Sequence, residues 1–136
     1  MIVAIGIDIV EIARIEEVFA RRGEGFRNRV FTESEIAYCE SRAAKMESYA
    51  ARFAAKEAAM KALGTGWGDG VGWHDIEVQR SPTGIPSLRF HGRARERLNE
   101  LGARRAHLSL THSRHLALAQ VILEGKRQKA GSKRPK

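Results

Sequence analysis

The alanine-rich segment from Ser48 to Leu63, SYAARFAAKEAAMKAL, constrains the fold more than any other part of the sequence. Alanine has the highest intrinsic helix propensity, and Phe53, Met60 and Leu63 recur at the spacing of one buried helix face. Gly64 follows at the position where helices commonly end. The pattern predicts a long helix whose small side chains leave room for something bulky to approach.

The segments before this helix alternate between strand and helix patterns. Residues 1–7 form a run of branched apolar residues typical of a strand, and a helical pattern begins at about Glu11. Gly23 and Gly25 should end that helix. Residues 32–35, TESE, have the spacing of a capping box, in which a threonine hydroxyl and a glutamate carboxylate bind free backbone N–H groups, so a second helix should start there.

The segments after it predict a mainly antiparallel sheet. Residues 75–80 and 87–90 flank a Pro-Thr-Gly turn and resemble a hairpin. A helix over residues 93–101 follows, then one strand containing Leu108 and Leu110 and another over residues 116–123. Because helices stand between pairs of strands, we predict a single α+β domain in which the sheet packs with helices.

Composition limits the possible partners and the setting. The chain has 136 residues and a formal net charge of +8, so an anionic partner is expected: nucleic acid, a phosphate-rich small molecule or an acidic protein. Cys39 is the only cysteine, which excludes an intramolecular disulfide and a thiolate metal cage. The sequence contains no apolar run of membrane-spanning length and no signal-peptide pattern, so we expect a cytoplasmic protein without a membrane partner.

Part of the positive charge lies at the end of the chain. Residues 125–136, GKRQKAGSKRPK, contain no apolar side chain larger than alanine. Such a segment cannot bury enough apolar surface to offset the entropy of ordering it. We therefore expect a domain over residues 1–124 and a basic, disordered tail over residues 125–136.

Two carboxylates are candidate metal ligands. Asp8 follows an apolar strand in GIDIVEI, where a strand end can fix a carboxylate at a cleft, although an aspartate capping a turn or helix has the same pattern. Glu57 and Lys61 lie four residues apart on one helix face and could hold a hard cation and the phosphate that it neutralises. In isolation, an ordinary helix-stabilising Glu–Lys pair explains them equally well.

Hydroxyl and imidazole groups cluster in a second segment, SLTHSRH, around the exit of a strand, where they could bind a phosphate. A nucleophilic triad is disfavoured because no nucleophile-elbow glycines flank the serines. The glycine-rich loop over residues 64–72 fits neither the dinucleotide-binding nor the P-loop pattern.

Arginines form a basic face on the first predicted helix. Arg14, Val18, Arg21 and Arg22 fall on one side by steps of three and four residues. A solvated arginine face is the ordinary interpretation, but an exposed valine among arginines also suits docking of an acidic amphipathic helix.

Five of these segments, in this order, resemble the holo-acyl-carrier-protein synthase family of phosphopantetheinyl transferases. They are GIDIVEIARI, FTESE, RFAAKEAAMKALGTG, DIEV before PTGIP, and SLTHS before an apolar strand, and they span residues 2–124. The resemblance implies the 4′-phosphopantetheinyl transferase-like fold and transfer of phosphopantetheine from coenzyme A to a serine of apo acyl carrier protein, in fatty acid biosynthesis.

The resemblance also implies roles for particular residues. Asp8 and Glu57 would ligate Mg²⁺ with a pyrophosphate oxygen of coenzyme A, and Lys61 would contribute positive charge at the phosphates. The other implied contacts are His112 at the phosphates, Arg52 and the turn from Gly84 to Pro86 near the nucleotide, and the Arg14, Val18, Arg21 and Arg22 face at the carrier protein. Either Glu57 or a metal-bound water could deprotonate the serine.

Family members of this length resemble homotrimers, which implies active sites between subunits. Two other functions compete with this interpretation. A small basic nucleic-acid-binding protein would explain the charge, but the sequence lacks the motifs of the common nucleic-acid-binding modules. A metal-dependent nuclease would use Asp8 and Glu57 but leaves the SLTHS segment unexplained.

Overall fold

The computed structural model describes residues 1–66 and 69–126. Along this part of the chain the elements are β1 (Ile2–Glu11), α1 (Ile12–Val30), α2 (Glu33–Glu40), α3 (Lys45–Leu63), β2 (Ile76–Arg80), β3 (Pro86–Phe90), α4 (Gly92–Glu100), β4 (Ala103–His112) and β5 (Leu116–Gly125). A 3-10 turn, Trp73–Asp75, precedes β2. The predicted α+β domain is confirmed.

The strands form two antiparallel sheets. β5 lies between β1 and β4 in the larger sheet, where Gly6 pairs with Val121 and Val121 with Leu108. β2 and β3 form the predicted hairpin, in which Val78 pairs with Leu88. The helix α3 packs across one face of the larger sheet, and this contact forms the centre of the core.

Small side chains allow this close packing of helix on sheet. α3 contributes fully buried alanines to the core: Ala50, Ala54, Ala55, Ala58 and Ala59. Opposite them, Gly6 of β1 approaches so closely that an added Cβ would lie 1.9 Å from the carbonyl oxygen of Ala58. Glycine is therefore required at this position, because any side chain would overlap the helix backbone.

The local sequence signals for the helix ends are largely confirmed. The Thr32 hydroxyl accepts from the N–H of Glu35 at 3.3 Å, while the Glu35 carboxylate accepts from the N–H of Thr32 at 2.8 Å, which is the expected capping box. Gly64 ends α3 in the left-handed conformation, with φ of 72°. Helix caps of this kind depend only on neighbouring residues, so they can be predicted from the sequence.

Two boundaries near the N-terminus differ from the prediction. β1 extends to Glu11 instead of stopping at Ile7, because β5 pairs with it along its whole length. The first helix does not end at Gly23: that residue has φ of 54° and breaks the regular geometry, but the helix resumes and runs to Val30. The predicted break therefore occurs at Gly23, but as a kink between two helical segments and not as the end of the helix.

The second face of the larger sheet carries exposed apolar residues. Side chains alternate along a strand, so Ile5, Ile7 and Ile9 point away from α3, and each is 50–57% exposed. Leu116, at the start of β5, is also exposed. No other element of the described residues covers these side chains, so the sheet presents a contiguous apolar surface.

No helix within the described ranges combines the length and apolarity needed to span a membrane. At the other end of the domain, β5 reaches Gly125, whose N–H donates to the Met1 carbonyl at 2.8 Å. The predicted tail falls mostly on residues 127–136, which lie outside the described residues.

Candidate active site

Asp8 and Lys61 meet although 53 positions separate them in the sequence. The Lys61 ammonium lies 2.9 Å from Asp8 Oδ1 and donates to the Ile7 carbonyl at 3.1 Å. The Asp8 side chain is only 12% exposed, whereas Lys61 reaches solvent. The hydrogen bond to Asp8 raises the pKa of Lys61, so its positive charge is secured beside the carboxylate.

Glu57 lies one helical turn before Lys61 on α3 and faces the same region. Burial raises the pKa of Glu57, and the negative charge of Asp8 raises it further, while Lys61 and Arg14 act in the opposite direction. A half-buried carboxylate whose ionisation is disfavoured by burial and by a neighbouring carboxylate indicates a place where a cation would be stabilised.

A cavity of about 410 Å³ holds these carboxylates. Asp8 and Glu57 line it together with Arg14, and its apolar wall consists of Ile15, Val18, Phe26 and Phe53. The opening lies between β1, α1 and α3, so one strand and two helices fix the positions of its functional groups. The pairing of a polar end with an apolar wall suits a ligand that is charged at one end and apolar at the other.

The donor set fits Mg²⁺, which prefers oxygen ligands and usually retains water or substrate oxygens in its shell. Asp8 and Glu57 supply carboxylate oxygens in one cavity. Within residues 1–66 and 69–126, no group of three or more potential ligands from His, Cys, Asp and Glu occurs that could hold a metal ion. A metal held here would therefore take its remaining ligands from substrate or solvent, which suits a cation that bridges protein and phosphate.

A second cavity, of about 480 Å³, gathers positive charge. Its lining includes Arg42, Arg52, Arg80 and His112, with the Tyr38 ring between the arginines. The guanidinium carbon of Arg52 lies 4.0 Å from the centre of this ring, and those of Arg80 and Arg42 lie at 5.2 and 5.6 Å. Because three arginines converge on one aromatic ring, the cavity suits an anionic ligand with a flat ring system.

Arg52 is a buried arginine with an unsatisfied hydrogen-bond donor. The residue is only 2% exposed, and its Nε is buried with no hydrogen-bond partner among the described residues. A buried N–H without a partner costs free energy that a bound acceptor would recover. This arginine was predicted from sequence, whereas Tyr38, Arg42 and Arg80 were not. Tyr38 and Arg42 lie on and just after α2, and only the fold brings Arg80 of β2 and Arg52 of α3 to them.

The remaining predicted nucleotide contacts lie beside this cavity. Arg80 Nη1 donates to the Gly84 carbonyl at 2.6 Å, so the turn from Gly84 to Pro86 is joined to the arginine cluster. His112 lines the cavity at the end of β4, and its Nε2 lies 3.5 Å from Glu47 Oε2. A shallow groove shares Ile9 with the carboxylate cavity and Thr111 and His112 with the arginine-lined cavity, but its Ile9, Leu116 and Leu118 side chains lie on the exposed face of the sheet, opposite Asp8.

The four residues of the predicted basic face lie in two different environments in the structure. Arg14 borders the carboxylate cavity and is exposed, as are Arg21 and Arg22 further along α1. Val18 was expected to be exposed, but it is half-buried and lines the cavity wall. Val18 lies on the cavity wall with Phe26 of the same helix and Phe53 of α3, so it is not part of the solvent-exposed arginine face.

A buried ion pair was not predicted. Lys56 Nζ lies 2.8 Å from Glu35 Oε1, and both side chains are 0% exposed. The sequence signal for Glu35 was its role in the capping box, which gave no indication of a partner on α3. The predicted glycine loop cannot be compared fully, because residues 67 and 68 lie outside the described residues.

Taken together, a paired carboxylate site with an adjacent lysine and an arginine-lined cavity indicate an enzyme-like site for a phosphate-containing ligand. Comparison with known proteins identifies the enzyme family to which such a site belongs. A family model described as the 4′-phosphopantetheinyl transferase superfamily matches residues 4–119. The chain belongs to the 4′-phosphopantetheinyl transferase superfamily.

Similar proteins carry a consistent name. The chain is 55% identical to the holo-[acyl-carrier-protein] synthase of Koribacter versatilis over 124 residues, covering 91% of this chain and 99% of that protein. It is 51% identical to the synthase of Solibacter usitatus, with the same coverage.

Solved structures agree with the fold. The Helicobacter pylori holo-[acyl-carrier-protein] synthase in complex with coenzyme A superposes with a TM-score of 0.78 and 34% identity, covering 88% of this chain and 99% of that one. A Bacillus anthracis synthase in complex with CoA (3′,5′-ADP) gives 0.75 and 40%, covering 93% and 99%. The predicted phosphopantetheinyl transferase-like fold is confirmed.

Proposed function

We propose that this chain transfers 4′-phosphopantetheine from coenzyme A to a serine of apo acyl carrier protein, as a step that serves fatty acid biosynthesis. The serine oxygen attacks the phosphorus on the pantetheine side and loses its proton. The bond from that phosphorus to the bridging oxygen breaks, and adenosine 3′,5′-bisphosphate leaves. The observation that carries this proposal is the convergence of Asp8, Glu57 and Lys61 in a chain closely similar to holo-[acyl-carrier-protein] synthases.

We propose that Asp8 and Glu57 hold Mg²⁺. When bound, the cation would neutralise charge on the pyrophosphate of coenzyme A. Lys61 supplies a second positive charge beside Asp8, and its exposed ammonium can move to contact a phosphate oxygen. Loss of the Lys61 contact to Asp8 in exchange for a phosphate contact would leave the carboxylate free to bind the cation.

The nucleotide half of coenzyme A is assigned to the arginine-lined cavity. Arg52, Arg80 and His112 provide donors for phosphate oxygens, and Tyr38 offers an aromatic face. Gly84 and Pro86 border the ligand from the β2–β3 turn.

The main experiment is incubation of the protein with coenzyme A, Mg²⁺ and an apo acyl carrier protein, followed by intact mass spectrometry of the carrier. A mass gain equal to phosphopantetheine that EDTA abolishes supports both the reaction and the metal. A Glu57→Ala variant should fold, since the residue is only half-buried, and should lose transfer. Absence of any gain with several apo carriers would refute the proposed reaction.

The carrier protein is assigned to the basic face of α1. Arg14, Arg21 and Arg22 are exposed and offer charge complementarity to an acidic helix, and Val18 joins the apolar wall nearby. We expect Arg21→Glu, which lies outside the carboxylate cavity, to raise the KM for the carrier about tenfold or more while the KM for coenzyme A stays within about twofold. Equal changes in both constants would contradict this docking face.

We also propose that the chain forms a homotrimer with active sites between subunits. The apolar surface of Ile5, Ile7, Ile9 and Leu116 supports this proposal, because burial of such a surface stabilises an assembly by about 25 cal/mol per Å². Light scattering after size exclusion should give three times the chain mass, and Ile7→Lys should give monomers. A monomeric wild-type protein would refute the trimer.

Two further proposals concern the rest of the chain. We propose a cytoplasmic enzyme without membrane or nucleic-acid partners. The sequence placed the end of the domain at residue 124, but Gly125 is the last residue of β5, so we propose that residues 1–125 contain the whole catalytic domain and that the basic segment after Gly125 lies outside it. Removal of residues 127–136 should therefore leave kcat and both KM values unchanged within about twofold. A larger change would assign the segment a role in the reaction.

A further inference from the structure

Lys56 and Glu35 form an ion pair in the centre of the domain, and Lys56 is adjacent in sequence to the candidate active-site residue Glu57. Lys56 directly precedes Glu57 on α3, yet its side chain points into the protein, where it is 0% exposed. Its ammonium uses three acceptors: Glu35 Oε1 at 2.8 Å, the Ile76 carbonyl at 2.5 Å and the Trp73 carbonyl at 3.0 Å. All three donors of this lysine are therefore satisfied.

Glu35 extends the same network to other elements. Its Oε1 accepts from the backbone N–H of Thr32 at 2.8 Å, and its Oε2 accepts from the N–H of Val78 at 2.7 Å. The pair thus ties the middle of α3 to the start of α2, to β2 and to the 3-10 turn. Each bond has a defined direction, so the network fixes orientation as well as distance.

Stability alone does not require such a pair. The cost of removing two charges from water is comparable to their attraction inside the protein, and apolar side chains of similar volume often serve equally well. Lys56 stands among apolar core residues, where leucine or methionine could fill the space. The geometry therefore calls for another reason why charges occupy this position.

The surface of α3 provides that reason. Where α3 crosses Gly6 of β1, the helix presents Ala58 and Ala62, whose single methyl groups form shallow ridges. Shallow ridges resist sliding and rotation of a helix less than large interlocking side chains do. A side-chain atom lies about 6 Å from the helix axis, so a rotation of about 10° moves it by about 1 Å.

We propose that Lys56 and Glu35 are positioning residues: their buried ion pair sets the rotation of α3 and thereby directs the Glu57 carboxylate into the cavity beside Asp8. A displacement of about 1 Å at a reacting centre can lower the rate by about 100-fold. The network therefore acts on the reaction through Glu57, while neither residue lines the cavity. This inference rests on the proposed function.

The test compares two variants with the wild-type protein. Lys56→Met with Glu35→Gln removes both charges and nearly conserves volume, so the fold should be retained. Leu98→Ala is the control, because Leu98 is a buried α4 residue outside the network and its truncation destabilises the core without affecting α3 rotation. Both proteins are assayed at a temperature where circular dichroism shows full folding.

We expect the double variant to lose at least tenfold in kcat with the carrier KM unchanged, and to bind Mn²⁺, followed by its electron paramagnetic resonance without substrates, about tenfold more weakly. Leu98→Ala should keep both properties. Wild-type kcat and Mn²⁺ affinity in the double variant would overturn the positioning role, as would equal losses in Leu98→Ala.

The single variant Glu35→Gln covers the case in which the double variant does not fold. It leaves Lys56 with its two carbonyl acceptors, so we expect a smaller loss, about threefold in both kcat and Mn²⁺ affinity. Unchanged values would overturn the inference. If the wild-type protein transfers no phosphopantetheine, the proposed function fails, and the Mn²⁺ affinities of the variants still decide whether the ion pair positions Glu57.

Discussion

Substitution of Gly6 by alanine tests the packing that brings β1 and α3 together. An added Cβ would lie 1.9 Å from the Ala58 carbonyl oxygen and 2.8 Å from the Ala62 nitrogen. Both atoms belong to the helix backbone, so no side-chain rotation can relieve the overlap. Ordinary van der Waals contact begins at 3.4 Å, so the added Cβ would be 3.4 − 1.9 = 1.5 Å too close to the oxygen. The helix or the strand would have to move by about that distance to accommodate it.

The cost follows from that movement. Overpacking in a well-packed core destabilises by about 1–3 kcal/mol, and a backbone overlap belongs at the upper end of this range. A change of about 3 kcal/mol corresponds to a decrease in Tm of about 10 °C in a domain of this size. Because Asp8 lies two residues from Gly6 while Glu57 is on α3, the same movement separates the two carboxylates and should lower kcat.

The assay is thermal unfolding by circular dichroism together with the carrier mass assay. Gly25→Ala is the matched control: it is the same substitution, within α1, and an added Cβ there meets nothing within 4 Å. Alanine is favoured over glycine in a helix, so this control should be neutral or slightly stabilising. A Tm for Gly6→Ala within about 2 °C of the wild-type value would refute the close-packing argument.

Two further predictions use the pKa shifts. Partial burial raises the pKa of Glu77, but hydrogen bonds from Ser34, His91 and Thr32 outweigh it and hold this pKa below its usual value. The stabilisation is therefore present above the unfolded-state pKa of about 4.3 and is lost as pH falls through the folded-state pKa. Glu77→Gln should accordingly reduce the free energy of unfolding by about 1–2 kcal/mol at pH 7 and by much less near pH 3, as urea titrations would show; a difference independent of pH would contradict this. Burial raises the pKa of the Cys39 thiol to about 12, so the native protein should not react with a thiol reagent at pH 8 until it is unfolded in guanidinium; rapid native labelling would place Cys39 at the surface.

The sequence by itself determined features that depend on neighbouring residues. The alanine-rich composition and Gly64 predicted α3, the TESE segment predicted the start of α2, and the Pro-Thr-Gly turn predicted the hairpin. Propensity and turn chemistry act over a few residues, so these elements do not need the rest of the chain. Glu57 and Lys61 were candidates because they lie four residues apart on one helix. Asp8 was a candidate as a residue at the end of a strand, but β1 continues through it to Glu11.

Only the tertiary structure decided which distant residues meet. Asp8 reaches Lys61 across 53 positions, and Glu35 reaches Val78 across 43. The arginines around Tyr38, the close approach at Gly6 and the partial burial of Val18 likewise result from packing. Such contacts depend on the distance and rotation between elements, which side-chain volumes in the core fix and which no local pattern contains.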